Sequence, residues 1–424
     1  MSVFERLLRD KKILLGVSGS IAIYKSLELI RLYRKAGADV RVVMTPSAER
    51  FVCALTFEAI SGHAVLREET ESWAGDNNHI DIGKWADLFV IAPASANTIN
   101  KLKNGIADNL LLQSALAHSG HKVIAPAANT RMLKNPATEG SIKMLQLMDY
   151  HFVKTRKKEL ACGERGEGAM AEPLEIFFQS AKYLLKNDFW SLRRVVVSGG
   201  GTIERIDDVR YLSNFSSGKM AKALATALWI RGADVCLVTT RLFEDLPEEV
   251  YQIDVESAEE MGEYLEDAIR VAKKGVMTKA TLMDDSMPEL IQKKPYLFMA
   301  AAVSDYRPKF PQRGKLKKEM LGESWSLELV QNRDILASLN KEGIFSVAFK
   351  AETDEERALE NAKRARKTKE VDAICLNNIA KHPFGSEENE LTLITQGMEQ
   401  KLPAGDKLSV AFALIDRLEE ISGE

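Results

Sequence analysis

The chain has 424 residues, of which 45% are hydrophobic, and its formal net charge is −3. This length predicts two or three domains, and the apolar content excludes a chain that is mainly disordered. The 58 lysines and arginines are balanced by 61 aspartates and glutamates, so the basic excess typical of a general nucleic-acid binder is missing.

Membrane and redox features point to one compartment. No apolar run approaches the roughly 20 residues that a membrane helix requires, and the first residues lack the apolar core of a signal peptide. The four cysteines, Cys53, Cys162, Cys236 and Cys375, do not have the spacing of a metal site or a disulfide framework. We therefore expect a cytoplasmic protein that does not associate with membranes.

The first half of the chain predicts a parallel α/β sheet. A short β-branched run at 12–17 leads into the glycine turn GVSGS at 16–20, then an amphipathic stretch, and then a second buried strand near residues 40–44. Further buried strands are predicted at 88–92 and 122–125. The amphipathic helix over 176–185 ends this part, so we assign residues 1–190 to a first domain.

The second half repeats this pattern. A β-branched run at 194–198 leads into the glycine turn GGG at 199–201, a helical stretch and another buried strand at 235–240. Strands are also predicted at 296–300, 345–349 and 372–376. Residues 191–424 thus form a second domain, and the predicted fold is two doubly wound parallel-sheet domains in the α/β class.

The two glycine turns indicate ligand sites without identifying the ligand. Ligands of open parallel sheets bind at the carboxyl ends of the strands, where backbone N–H groups and helix N-termini favour anions. Neither turn matches the dinucleotide fingerprint, and neither is followed by the lysine of a Walker loop. Phosphorylated ligands are one interpretation, and turns needed only for tight packing are the other.

Six motifs of the first domain resemble the flavin-dependent cysteine decarboxylases. They are GSIA at 19–22, TPSA at 45–48, NHI at 78–80, APASANT at 92–98, PAAN at 126–129 and ACGERGEG at 161–168. The resemblance implies a flavodoxin-like flavoprotein domain that binds FMN. The cofactor-binding residues that it implies are Gly19, Ser20, Ile21, Ser47, Ser95, Asn97 and Thr98.

The resemblance also implies a reaction. Direct loss of the carboxylate from an acylated cysteine would leave a carbanion without an electron sink, whereas oxidising the thiol to a thioaldehyde provides one. His79 is expected to act in this oxidative decarboxylation, Asn129 to hold the substrate carboxylate, and Cys162 to supply a proton. A structural thiol is the alternative for Cys162, although its glycine-rich and charged surroundings favour an accessible one.

Motifs of the second domain resemble the ligases that join phosphopantothenate to cysteine with CTP. They lie at 208–220, 300–308 and 315–318. By this resemblance Asn214 stabilises an acyl-cytidylate, and Mg²⁺ accompanies the nucleotide, with metal ligands unknown. The nucleotide-binding residues implied are Met299, Ala300, Ala301, Asp305, Lys315, Asn332, Arg333, Asp334, Ile335, Phe349, Lys363 and Lys367.

Some of these positions have other interpretations. Lys363 and Lys367 also fit the solvated face of a charged helix, and composition alone favours that view. Arg333 stands where the family has proline, and Lys350 stands where it has a small residue.

Taken together, the chain resembles the bifunctional decarboxylase–ligase family of bacterial coenzyme A synthesis. The resemblance implies 4′-phosphopantothenate, cysteine and CTP as substrates, and a homo-oligomer with trimeric flavin domains and dimeric ligase domains. The alternatives are an active ligase fused to a flavin prenyltransferase-like domain, and a flavin-binding regulatory subunit. An NAD-dependent oxidoreductase is disfavoured because both glycine turns lack the dinucleotide fingerprint.

Overall fold

The computed structural model describes residues 6–74, 78–159, 165–278, 282, 287–352, 355–378, 383 and 385–422. These residues divide into two compact units at Lys186 and Asn187, and the described part of Thr278–Glu289 groups with the first unit. No helix among the described residues has both the length and the apolar character that a membrane crossing requires.

The first unit contains a five-stranded parallel sheet with the order β2-β1-β3-β4-β5, followed by an antiparallel hairpin of β6 and β7. This strand order is that of flavodoxin-like folds. The strands are β1 Lys12–Val17, β2 Asp39–Met44, β3 Leu88–Ala94, β4 Lys122–Pro126, β5 Tyr150–Phe152, β6 Arg156–Glu159 and β7 Arg165–Ala169. The helices are α1 Tyr24–Lys35, α2 Pro46–Glu49, α3 Ala54–Ser61, α4 His79–Trp85, α5 Ala96–Lys103, α6 Leu110–Ala117, α7 Thr130–Leu133, α8 Pro136–Leu147 and α9 Pro173–Leu185.

Helices cover this sheet because its strands are apolar. β3 is buried along its whole length, as expected for a central strand of a parallel sheet. Phe89 and Ile124 share one core cluster with residues of α5, α6 and α8. Elsewhere in the unit α1 packs against α9, where the Tyr33 and Ser180 hydroxyls are 2.6 Å apart and burial raises the pKa of Tyr33.

The second unit is built on an eight-stranded sheet with the order β12-β11-β8-β15-β18-β19-β21-β22. Pairing is parallel from β12 through β19, and β21 and β22 are antiparallel to their neighbours. The strands are β8 Arg194–Gly199, β9 Ile203–Arg205, β10 Tyr211–Ser213, β11 Asp234–Thr239, β12 Tyr251–Asp254, β13 Val276–Met277, β14 Leu290–Ile291, β15 Tyr296–Met299, β16 Tyr306–Pro308, β17 Leu329–Gln331, β18 Phe345–Glu352, β19 Ala373–Asn378, β20 Glu388–Asn389, β21 Leu391–Ile394, β22 Glu399–Lys401 and β23 Gly405–Asp406.

Helices also pack on this second sheet. α10 contacts β8, β11 and α15, and the core cluster joins Leu265 of α11 to Leu297 and Ile374 of the sheet. The helices are α10 Lys219–Ile230, α11 Ala258–Ala272, α12 Lys318–Leu321, α13 Ile335–Ser338, α14 Glu355–Thr368 and α15 Lys407–Ser422.

The predicted fold class is confirmed, with two local differences. β21 and β22 run antiparallel because a short turn, closed by Thr395 N donating to Met398 O at 2.8 Å, connects them without a crossover helix. The second glycine turn does not lead directly into a helix. The β9–β10 hairpin intervenes, and α10 begins only at Lys219.

Candidate active sites

A cavity of about 920 Å³ lies in the first unit, at the carboxyl ends of its strands. It adjoins the point between β1 and β3 where the strand order reverses, which is where ligands of such sheets bind. The sequence-predicted residues that line it are Gly19, Ser20, Ile21, Ser47, Ser95, Asn97, Thr98 and Asn129. The topology therefore brings together residues that lie far apart in the chain.

Polar residues cap short helical turns around this cavity. Ser20 Oγ accepts from Ala22 N at 3.3 Å, Ser95 Oγ accepts from Thr98 N at 3.2 Å, and Asn129 Oδ1 accepts from Arg131 N at 2.9 Å. Each cap follows a buried strand, so several helix N-termini converge on the cavity. Their backbone N–H groups favour anionic ligand groups.

Close backbone packing fixes the first glycine turn. A Cβ atom on Gly19 would lie 2.7 Å from Ser47 Cβ and 3.0 Å from Ser47 O, so only glycine fits there. Buried Ser18, which sequence analysis did not single out, donates to Pro93 O at 2.8 Å and accepts from Ser95 N at 2.9 Å. This side chain ties the loop after β1 to the loop after β3.

The β6–β7 hairpin reaches this cavity beside Asn129. Ala128 N donates to Gly168 O at 3.2 Å, and a Cβ atom on Gly168 would lie 2.0 Å from Ala128 O. The predicted proton donor Cys162 lies between β6 and β7 in the chain, outside the described residues.

The ring of His79 contacts a carboxylate and an aromatic side chain. It is the first residue of α4, whose N-cap Asn78 accepts from Ile80 N and Asp81 N. Nδ1 of His79 lies 2.7 Å from Oε1 of Glu71, and the imidazole meets the Trp73 ring edge-on at 5.6 Å. Glu71 thus fixes the ring orientation, but His79 is not among the described residues that line the cavity.

A second cavity, of about 630 Å³, lies in the second unit at the carboxyl ends of β15, β18 and β19. The predicted residues that line it are Asn214, Met299, Ala300, Ala301, Asp305, Asn332, Arg333, Asp334, Ile335 and Phe349. Lys315, Lys363 and Lys367 are not among its lining residues. Lys363 instead pairs with Glu399 at 2.8 Å.

Hydrogen bonds hold the loop at 300–304 beside this cavity. Asn214 Nδ2 donates to Ala302 O at 3.2 Å and to Val303 O at 3.1 Å. Ala301 N donates to Ser198 Oγ at 3.1 Å, and Ser304 N donates to Thr202 Oγ1 at 2.9 Å. Asn214 therefore fixes the loop through its amide nitrogen.

Several lysines line the second cavity without having been predicted. Lys219 and Lys407 are the first residues of α10 and α15, so two helix N-termini and two ammonium groups lie at one cavity. Lys219 Nζ donates to Gly385 O at 3.0 Å, Lys407 Nζ donates to Ser386 O, and burial lowers the pKa of Lys407. Lys350 and Lys369 also line the cavity. Ion pairs with Glu387, Glu352 and Asp334 balance the charges of Lys219, Lys350 and Lys369. The four ammonium groups therefore offer a polyanion hydrogen-bond donors more than net positive charge.

Arg333, which stands where the family has proline, forms an ion pair with Glu266. Its Nη1 lies 3.7 Å from Oε1 of Glu266, and both side chains are more than half exposed. Such an ion pair contributes little to stability. The neighbouring Asp334 caps α13 by accepting from Ala337 N at 3.0 Å.

Comparisons with known proteins match both units. The family described as "Flavoprotein" matches residues 2–183, and the family described as "DNA/pantothenate metabolism flavoprotein C-terminal domain" matches residues 190–282 and 271–421. The coenzyme A biosynthesis bifunctional protein CoaBC of Vibrio cholerae is 37% identical over 420 residues, covering 97% of this chain and 99% of the relative.

The chain belongs to the CoaBC family. A second member, from Haemophilus influenzae, is 36% identical over 97% of this chain and 98% of its own length. Among solved structures, a PPC decarboxylase mutant complexed with pantothenoylaminoethenethiol is 36% identical. The match covers 41% of the present chain and 97% of the decarboxylase chain, with a TM-score of 0.37.

Proposed function

We propose that the chain carries out two consecutive steps of coenzyme A synthesis. The second domain, residues 191–424, joins 4′-phosphopantothenate to cysteine at the expense of CTP. The first domain, residues 1–190, decarboxylates the product to 4′-phosphopantetheine. The observation that carries this proposal is the similarity to bifunctional CoaBC proteins over nearly the whole chain, because it spans both units.

In the ligase step the carboxylate must be activated, since its oxide is a poor leaving group. Attack on CTP gives an acyl-cytidylate and pyrophosphate, and the amine of cysteine then displaces cytidylate. Lys219 and Lys407 are placed to bind the triphosphate, and Asn214 holds the loop against which the acyl group would lie. Lys315, Lys363 and Lys367 stay predictions of the resemblance, since they do not line the cavity.

Mg²⁺ is proposed as the companion of the nucleotide. Within the described ranges, no group of three or more His, Cys, Asp or Glu side chains is arranged to hold a metal ion. Mg²⁺ is commonly bound by one or two carboxylates together with substrate phosphates, so the nucleotide would supply most of its ligands. Among the described residues, the carboxylates that line the cavity are Asp305, Asp334 and Glu388.

The residues of the first cavity fit FMN. Its volume suits a cofactor, and the capped turns at Ser20 and Ser95 offer backbone donors to a phosphate. When bound, FMN would accept a hydride from the substrate thiol and later return it. Asn129 would hold the substrate carboxylate, His79 would act in the oxidative decarboxylation, and Cys162 would supply a proton to the enethiolate product.

A homo-oligomer, with trimeric first domains and dimeric second domains, is part of the proposal. His79 does not line the cavity of its own chain, while Ile21 and Tyr24, which do, are 59% and 61% exposed. In the second unit, Tyr211 and Phe310 are also exposed apolar side chains. Exposed apolar groups of this kind favour burial against a second copy.

We also propose a cytoplasmic location. Cys53, Cys236 and Cys375, the described cysteines, are free thiols. Free thiols are typical of a reducing compartment.

The test is an assay with phosphopantothenate, cysteine and either CTP or ATP, in which pyrophosphate and CO₂ are followed separately. We expect a yellow protein, pyrophosphate with CTP, and CO₂ only after amide has formed. A colourless preparation that takes up no FMN would contradict the first-domain assignment. Pyrophosphate release with ATP alone would contradict the nucleotide assignment.

A further inference from the structure

Three charged side chains connect α1 to the β6–β7 hairpin. Glu172 Oε2 lies 3.2 Å from Nζ of Lys25 on α1, and Glu172 Oε1 lies 2.5 Å from Nζ of Lys158 on β6. Lys25 Nζ also donates to Met170 O at 2.9 Å. Both lysines line the first cavity, and Glu172 contacts both of them without being one of its lining residues.

Burial makes this arrangement energetically demanding. The Lys25 side chain is only 9% exposed, and a buried ammonium group requires an anionic partner. Partial burial alone would raise the pKa of Glu172, but the hydrogen bond from Lys158 and the charge of Lys25 hold it below its ordinary value. Although Glu172 is the N-cap residue of α9, its side chain makes no capping hydrogen bond. Its carboxylate therefore forms ion pairs with the two lysines and does not cap the helix.

We propose that Glu172 is a positioning residue for decarboxylation, holding β6 against α1 so that the cavity wall is set before substrate binds. This inference rests on the proposed function of the first domain. The acylated cysteine substrate carries a carboxylate and a phosphate, so a wall with two ammonium groups is electrostatically suited to it. Glu172 keeps both ammonium groups in place, and its single carboxylate balances only one of their two charges.

The expected kinetic signature follows from this role. Without Glu172, β6 samples positions in which Lys158 is turned away, and only a fraction of the molecules is competent to bind. The apparent dissociation constant then rises by the inverse of that fraction. Once substrate is bound the wall is formed, so turnover at saturation changes little. A purely stabilising role would instead reduce the amount of active protein and leave the Michaelis constant unchanged.

The experiment compares Glu172→Gln, Lys158→Met and the double variant in the full-length flavin-loaded chain, with phosphopantothenoylcysteine as substrate. We expect Glu172→Gln to raise KM about tenfold, because it leaves buried Lys25 without its carboxylate, with kcat within about twofold. Lys158→Met should raise KM less, because the Lys158 side chain is 56% exposed. Because the two substitutions share the Glu172–Lys158 contact, the double variant should raise KM by less than the product of the single effects. Flavin absorbance reports on the integrity of the domain in each case.

The matched control is Glu167→Gln. It breaks the 3.0 Å pair between Glu167, on β7 of the same hairpin, and Lys134, neither of which is among the residues that line the first cavity. Its KM should stay at the wild-type value. Reduced kcat and flavin content with unchanged KM in Glu172→Gln would overturn the positioning role, as would additive effects of the single variants. If the wild-type chain itself released no CO₂, the proposed function and this inference would both fall.

Discussion

The side-chain amide of Asn214 donates a hydrogen bond to the carbonyl oxygen of Val303 at 3.1 Å. The same nitrogen donates to Ala302 O, so a residue after β10 holds the loop that follows β15. The orientation of this amide decides which atom of Asn214 faces the loop and which atom is left for a ligand.

Replacing Asn214 with aspartate should disrupt ligation selectively. A carboxylate cannot donate, and it would face two carbonyl oxygens, so the loop at 300–304 would move away. We expect amide formation to fall about 100-fold, because the displaced loop would misplace the reacting acyl group. Pyrophosphate and amide are to be measured separately.

Asn340→Asp is the control for this variant. Asn340 uses its side-chain oxygen to accept from Glu342 N at 3.0 Å, and aspartate preserves that acceptor. Its ligation rate should match the wild type. A normal amide yield in Asn214→Asp would remove the role assigned to Asn214.

Removing the carboxylate of Glu71 should impair decarboxylation and spare ligation. Without the 2.7 Å contact to Nδ1, the His79 ring loses its fixed orientation, so we expect Glu71→Ala to slow CO₂ release about tenfold. Asp39→Ala breaks an equally short contact to His63 in the same unit and should leave CO₂ release unchanged. Equal losses in both variants would mean that Glu71 contributes only to stability.

Gly168→Ala should displace the β6–β7 hairpin. The added Cβ atom would lie 2.0 Å from Ala128 O. Because Ala128 O is a backbone atom, it cannot move aside as the end of a flexible side chain would. We expect decarboxylation to fall at least about tenfold, because a small misplacement at a reacting site is costly. The ligation rate, measured on the same preparation, should not change.

Gly140→Ala is the matched control for that substitution. Gly140 lies within α8, and nothing lies within 4 Å of its added Cβ atom. Alanine in a helix interior should raise the free energy of unfolding by about 0.5–1 kcal/mol, measured by denaturant titration, with decarboxylation unchanged. If Gly168→Ala decarboxylated as fast as Gly140→Ala, close approach of the hairpin would not matter for the reaction.

Two lysine variants test whether CTP is bound by Lys407, which lines the second cavity, or by Lys363, which the family resemblance implies. Lys407→Gln should raise the KM for CTP about tenfold, because Lys407 lines the second cavity at a helix N-terminus. Lys363→Gln, measured in parallel, should have a smaller effect, since Lys363 pairs with Glu399 away from the cavity. A larger effect at Lys363 would favour the role implied by the family resemblance.

Local patterns predicted much of the fold, whereas the residues assigned to each cavity came from the resemblance of short motifs to a known family. Ser20 and Ser95 each follow an apolar run, and a short polar residue at that position caps the next helix at the carboxyl edge of a sheet. The parallel arrangement then brings such positions together whatever their separation in the chain. The strand ends therefore indicated where ligands would bind, and the motif resemblance supplied the individual residues.

The remaining site residues depend on information that no local pattern carries. Lys407 reaches the second cavity only because α15 packs against α10. Whether Lys363 or Lys369 faces that cavity depends on the rotation of α14, and a change of one residue turns a helix face by about 100°. Lys25 lies within the amphipathic stretch after the first glycine turn, and only the tertiary fold brings Met170 and Glu172 beside it.

The contribution of Lys407 to the second cavity has a consequence for biosynthesis. Every residue lining the first cavity precedes Ala171, whereas the lining of the second cavity includes Lys407 of α15. Because domains generally fold as units while the ribosome adds residues from the N-terminus, the flavoprotein unit can mature during translation. The nucleotide site must await nearly complete synthesis, so premature termination would yield a polypeptide capable of one reaction but never both.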